Sequence, residues 1–179
     1  MMIQSGVVEV SVTSLTGRRS ILTLMEAGEM LGEISLLDRR ERSADAVAKT
    51  DVGGIVIHSH TMLSFLQNNP ESSMAVIQIL CERVRNASEM FETKSLTNAG
   101  ARLARTLLRI ADKWGIASEE GHVTIDQTLS QSDLGDFAGV ARENVNRYLK
   151  SWVRDGLVYV DDGVITLIDQ NKLIELAEI

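Results

Sequence analysis

Between Pro70 and Gly100 the chain contains neither proline nor glycine, and no other feature constrains its fold as much. Pro70, the only proline, stands at a first helical position, with Asn69 in the N-cap place and Glu71 where a carboxylate suits the helix dipole. One long helix running to about Thr97 is expected. Along it Ile77, Cys81, Val84, Ser88, Phe91 and Ser95 recur at alternating spacings of four and three, the period of a coiled-coil seam. So long a helix must bury its stripe somewhere, in its own domain or against a second copy. The spacing favours a homodimer seam over Ile77, Cys81, Val84, Ser88 and Phe91. Ser88 is the one strongly polar position in that seam and asks for a separate explanation.

The chain changes character on either side. Before the helix, VVEVSV, ILTL and ADAVA alternate or cluster β-formers, punctuated by Gly6, Gly17, Gly28, Gly32, Gly53 and Gly54. Short strands with glycine turns suggest a small barrel or jelly-roll-like roll. After it, Gly100 marks a break, and ARLARTLLRIADKWG reads as a second helix ending at Gly115, with Leu103, Leu107, Leu108 and Ile110 as its core face. HVTID is a short strand, and LVYVDDGVITLI a hairpin turning at Asp161–Asp162–Gly163. The expected architecture is α+β: a β-roll over 1–68, a long helix over 69–98 and a helical domain over 99–179.

Charge singles out one segment. The protein carries a net charge of −7, and residues 97–179 hold nine cations against thirteen acids. Yet Arg142, Arg147, Lys150 and Arg154 crowd one short stretch against Glu143 alone. SQSDLGDFAGVARENVNRYLKSW parses as helix, tight turn, helix. Ser130 caps the first helix with Asp133 in capping-box position, Gly139 takes the left-handed turn and Val140 plugs the corner. The second helix buries Val145, Tyr148 or Leu149, and Trp152, and presents Arg142, Glu143, Asn146, Arg147 and Lys150 on its other face. That is a helix-turn-helix with its reading helix offered to the major groove of double-stranded DNA. Arginine bonds guanine O6 and N7 bidentately and glutamate accepts from cytosine N4, while Lys150 and Arg154 suit phosphates. The acidic remainder limits nonspecific adhesion to polyanions.

GEMLGEISLLDRRERSADAVA carries a second chemistry. Gly32 permits close backbone approach, and Glu33 to Leu37 form a short helical turn with free amides. Arg42 can meet a phosphate bidentately and Ser43 adds a hydroxyl. Glu33, an acceptor, suits a sugar hydroxyl instead. An anion cradle beside a sugar-reading acid points to a nucleotide.

Other classes fare poorly. The lone Cys81 excludes an intrachain disulfide and a zinc cluster of paired cysteines, and reads as core on the seam. His58 and His60 alternate as if on one strand face but have no third ligand nearby, so no metal site and no enzyme is expected. Met25, Met30, Met62, Met74 and Met90 read as core fillers. No apolar run approaches the ~18 residues of a membrane span and the N-terminus lacks a signal-peptide pattern, so a cytoplasmic address without membrane contact is expected.

Three segments together resemble the CRP/FNR family of bacterial transcription regulators. GEISLLDRRERSADA is similar to the phosphate-binding cassette of cyclic-nucleotide domains, LCERVRNASEMFE to the dimerisation helix, and SQSDLGDFAGVARENVNRYLK to the helix-turn-helix. The resemblance implies a cyclic-nucleotide-binding β-roll, a dimerisation helix and a winged helix-turn-helix. It implies that Gly32 and Glu33 hold the ribose and phosphate region, that Arg42 and Ser43 bind the cyclic phosphate, that Arg83 reaches the phosphate side, and that Ser88 contacts the adenine bound in the other subunit. Arg142, Glu143 and Arg147 match the base-reading trio, for a palindrome of TGTGA-like half-sites. The implied effector is cyclic AMP (cAMP). Ala87, where the cAMP-binding prototype has threonine, removes one adenine contact and keeps cyclic GMP (cGMP), another effector or none as the alternative. A sensing module acting on a partner protein is the other alternative, and an activator would also meet RNA polymerase. The family's roll begins some 30 residues earlier, so the roll is expected to lack its first strands.

Overall fold

The computed structural model describes every residue except Thr97, Asp126, Thr128 and Ile179. Thr97 and Asp126, the expected ends of the long helix and of the HVTID strand, therefore lie outside the described residues. The chain is α+β and divides into two compact units, Met1–Ser88 and Glu89–Ile179, with the division falling inside the long helix.

In the first unit β1 (Met2–Ser5) pairs antiparallel with β5 (Gly53–Ile55). A second sheet runs in the order β3 (Arg19–Met25), β2 (Val8–Thr13), β4 (Asp45–Ala48). Gly53 and Gly54, read from the sequence as punctuation, thus lie within a strand, where Gly54 lets the backbone of Met2 and Ile3 approach closely. Between β3 and β4 sits α1 (Glu33–Asp38), and after β5 come α2 (Ser59–Asn68) and α3 (Pro70–Ser95). Ile3, Val8 and Met25 form one core cluster with Val10, Leu31 and Val52. Met30, Met62 and Val76 form another with Leu36, Leu37, Leu66 and Leu80, tying α1, α2 and the start of α3 together.

Sequence periodicity missed α2, and with it the setting of two residues. His58 is its N-cap and His60 lies in its first turn, their rings stacked 5.9 Å apart, so the pair is not on a strand. Asn69 is shared. Its carbonyl accepts from Ser73 N at 3.0 Å, opening α3, while its side-chain amide donates back to Phe65 O and closes α2. Met74, expected in the core, is exposed on α3.

The second unit holds α4 (Ala99–Trp114), α5 (Gln131–Ala138), α6 (Arg142–Arg154) and α7 (Gln170–Ala177) with an antiparallel sheet in the order β6 (Gly115–Ala117), β7 (Val123–Ile125), β9 (Val164–Leu167), β8 (Val158–Asp161). The helix break falls before Asn98, whose side chain accepts from Gly100 N and Ala101 N, rather than at Gly100. Gly100 sits in the first turn of α4, where a Cβ would press on the Tyr148 ring, so glycine here serves close packing. Leu103, Leu107 and Ile110 are fully buried, whereas Leu108 is only half-buried. The C-terminal helix α7, also unforeseen, packs Leu173 and Ala177 inward. Between β8 and β9, Asp162 and Gly163 both take positive φ, as a tight hairpin turn requires.

Candidate nucleotide cassette and DNA interface

The cassette is built around Gly32. Its φ of 81° belongs to the left-handed region, so glycine is needed for conformation, and a Cβ there would also displace the exposed Arg42 guanidinium that lies against it. Arg42 folds back over it, and its Nη1 donates to Gly32 O at 3.0 Å and to Ser35 Oγ at 2.6 Å. Glu33 opens α1 and is only 4% exposed. Its carboxylate is ion-paired with Arg83 from α3, and Arg83 Nη2 also donates to Met30 O at 3.0 Å. A carboxylate that deeply buried requires such a partner.

Gly32, Glu33, Arg42 and Arg83 are thus brought to one place from a loop, a short helix, a second loop and the long helix. Arg83 neutralises Glu33. Arg42 is held by two neutral oxygens, which leaves its charge available to an anion. Ser43 follows Arg42 and is exposed. Ser88 lies exposed on α3 and its hydroxyl donates to Val84 O at 3.0 Å. Sequence reasoning missed Ser35 and the Met30 carbonyl. Ser35 stands three residues after Gly32 on the same turn, a signal that was available, whereas a backbone carbonyl leaves none.

The reading head is built from below. In α5 the Ser130 hydroxyl accepts from Asp133 N at 3.0 Å, and Ser130 N donates to the Asp133 carboxylate at 3.1 Å, so the capping box is complete. Gly139 closes α5 with φ 66°, and Val140 is buried in the corner. Gly135 lies under that corner, where a Cβ would meet the Val140 carbonyl. In α6, Val145, Leu149 and Trp152 are buried, which settles the choice between Tyr148 and Leu149. Arg142, Glu143, Arg147 and Lys150 are exposed on the opposite face. Asn146 is half-buried and its Oδ1 accepts from Gln131 Nε2 at 3.4 Å, a contact the sequence did not suggest. The Arg147 guanidinium lies 5.2 Å from the centre of the Tyr148 ring.

On α3, Ile77, Cys81, Val84, Ser88 and Phe91 are all exposed, with Val84 at 66% and Phe91 at 76%. Cys81 is therefore not a core residue of the single chain. Among the described residues no group of three or more His, Cys, Asp or Glu is arranged to hold a metal ion, and no helix is long and apolar enough to cross a membrane.

Comparison with known proteins follows the same division. Residues 1–69 match the family profile described as "Cyclic nucleotide-binding domain", and residues 101–176 that described as "Crp-like helix-turn-helix domain". The "CRP-like cAMP-activated global transcriptional regulator" of Mycobacterium tuberculosis is 26% identical over 169 residues, covering 94% of this chain and 75% of that protein. The "Cyclic AMP receptor protein" of Thermus thermophilus is 30% identical over 176 residues, covering 98% and 78%. A CooA mutant from Carboxydothermus hydrogenoformans matches with a TM-score of 0.84 over 98% of this chain and 77% of that one; at 19% identity it speaks for the fold alone. The M. tuberculosis relative is by its name a transcriptional regulator, not an enzyme. With both domains matched in order and nearly the whole chain aligned to a relative at 30% identity, this protein belongs to the CRP/FNR family of DNA-binding transcription regulators.

Proposed function

We propose that the chain acts as a cytoplasmic homodimer that binds a palindromic operator under the control of a cyclic nucleotide, with cAMP as the effector. It would work in three parts, a nucleotide-binding roll over 1–68, the dimerisation helix over 69–98 and the winged helix-turn-helix over 99–179. The observation that carries this reading is the convergence of Gly32, Glu33, Arg42 and Arg83. Arg42 exchanges two neutral partners for the cyclic phosphate, with Ser43 beside it, and Glu33, held by Arg83, accepts from a ribose hydroxyl. The names of the M. tuberculosis and T. thermophilus relatives, cAMP-activated and cyclic AMP receptor, support the choice of nucleotide.

The exposed stripe on α3 supports the dimer, since valine and phenylalanine so far out of a single chain need a cover. Across that seam Ser88 reaches the base held by the partner subunit. Arg142, Glu143 and Arg147 read base edges, Asn146 extends that face, Lys150 meets phosphates, and Ser130 supports the interface by capping α5. Ligand shifts the population of dimers toward one separation of the reading helices. Where the regulator activates, RNA polymerase is its further partner.

Ala87, exposed beside Ser88, favours a second reading with cGMP or no effector. Fluorescence anisotropy of a labelled TGTGA–TCACA palindrome at fixed salt, with cAMP, with cGMP and with neither, separates them. Tight binding with cAMP alone is the expected result, and equal binding in all three conditions removes the gate. Copper-induced crosslinking through Cys81 gives a covalent dimer if the seam is right, because a seam position faces its own copy.

A further inference from the structure

Helix α4 carries arginines at 102, 105 and 109, spaced three and four apart, which places them on one stripe. Each leaves the helix for a different target within the second unit. Arg105 Nη1 meets Glu92 Oε1 on the last turns of α3 at 2.7 Å. Arg102 Nη1 donates to Leu96 O, just beyond α3, at 2.7 Å, and its Nη2 makes a longer bond of 3.5 Å to Gly139 O at the turn of the reading head. The Arg109 guanidinium lies 6.0 Å from the centre of the Phe137 ring on α5. Arg109 also feels the charge of Glu89, one turn before Glu92 on α3; burial lowers its pKa and Glu89 opposes that shift. One stripe therefore touches the end of α3 on one side and the helix-turn-helix corner on the other.

Apolar packing of Leu103, Leu107 and Ile110 already holds α4 in the unit, but such packing has no direction. Guanidinium contacts do, because the planar fork fixes the angle between donor and acceptor. As an isolated stabiliser the Arg105–Glu92 contact is weak: Glu92 is 68% exposed, and exposed ion pairs contribute little to folding. The use of the guanidinium contacts is orientation.

We propose that Arg102, Arg105 and Arg109 are positioning residues for DNA recognition, setting the angle at which the reading head leaves the end of α3 and hence the half-site spacing that the dimer accepts. The proposal rests on the dimeric reading above. It concerns a stripe separate from the cassette residues and from the exposed face of α6.

The test uses the full chain on a panel of palindromes whose half-sites are moved apart or together by one and two base pairs, beside a duplex with a single half-site. Each is measured with cAMP, cGMP and neither, and the tightest condition is carried forward. Arg105→Glu and the milder Arg105→Gln should lower the preference for the best spacing over its neighbours, by about tenfold for the charge reversal. Single half-site affinity and melting temperature should stay close to the wild type. Glu92→Arg should behave like Arg105→Glu, and the double variant with both exchanges should recover the spacing preference. A wild-type chain that discriminates spacing while Arg105→Glu and Arg105→Gln discriminate equally well overturns this proposal and leaves the dimer intact. A wild-type chain indifferent to spacing overturns the dimer reading as well. Loss of binding to all duplexes in equal proportion, single half-site included, assigns Arg105 a merely structural role and also overturns it.

Discussion

In the cassette, the two arginines of the candidate site already have partners from within: Arg83 with Glu33 and Met30 O, Arg42 with Gly32 O and Ser35. On α6, Arg142, Arg147 and Lys150 stand out in solvent above a buried Val145, Leu149 and Trp152. The two regions gather cations on the same acidic chain and hold them in opposite ways. A small anion delivers its charge at one point, so its site must be a pocket whose groups stay satisfied when empty and exchange partners on binding. DNA delivers charge along a line, and its gain comes from released counterions, so its cations remain hydrated until contact and only the scaffold beneath them must be rigid. Internal partners mark the first kind of site, exposure over a locked core the second.

That contrast breaks most readily at Arg42. Arg42→Ala removes the guanidinium, with its N–H donors and its charge, from the cassette, and nucleotide affinity should fall on the order of 100-fold, as expected for two charge-assisted bonds. Isothermal titration with cAMP and cGMP reads this directly. Because the side chain is exposed, the melting temperature should hardly move, and unchanged affinity would remove Arg42 from the site. On the other side, Arg142→Ala should cost about 1–3 kcal/mol at one guanine and relax the preference there. Base-substituted operators in an anisotropy assay show whether the loss is confined to a single position. Lys150→Ala is milder and different in kind: affinity should weaken about equally for all sequences, and the slope of log K against log salt should shrink by about 1. A loss confined to one base would make Lys150 a base reader.

Much of the reading head was legible in the sequence because its logic is local. A capping box, a left-handed glycine and an apolar stripe each lie within a few residues, and Ser130, Asp133, Gly139 and Val145 take the places expected of them. The cassette was legible as a set of residue types, but the Glu33–Arg83 pair joins residues fifty positions apart, which no spacing encodes. Only the family resemblance brought Arg83 in. The misses follow the same rule. The short α2 was hidden because SHTMLSFLQN shows no strong apolar period and follows a β-rich stretch, which drew His58 and His60 onto a strand. Cys81 and Met74 were assigned to a core because an apolar residue on a helix does not say whether its cover is its own chain or another. Gly100 was read as a break because glycine's local meaning is flexibility, while its contact with Tyr148 is tertiary.

Ser130 tests how far the rigid scaffold matters to the exposed face. Its hydroxyl accepts from Asp133 N and donates to the Asp133 carboxylate at 2.8 Å, so the side chain is already committed to the capping box. If its role at the interface is indirect, Ser130→Ala should cost about 1 kcal/mol of stability through the lost cap. In a unit of this size that lowers the melting temperature by roughly 4–8 °C. DNA affinity well below the transition should change by less than about threefold, with an unaltered salt slope, because no phosphate contact counted in that slope is lost. Ser130→Thr, which keeps the oxygen, should restore most of the stability. A loss of DNA affinity well beyond threefold and equal for all sequences in Ser130→Ala, with the melting temperature unmoved, would instead place the Ser130 hydroxyl on a phosphate. The distinction between a buried scaffold and an exposed face would then fail at the start of α5, where the two meet in a single side chain.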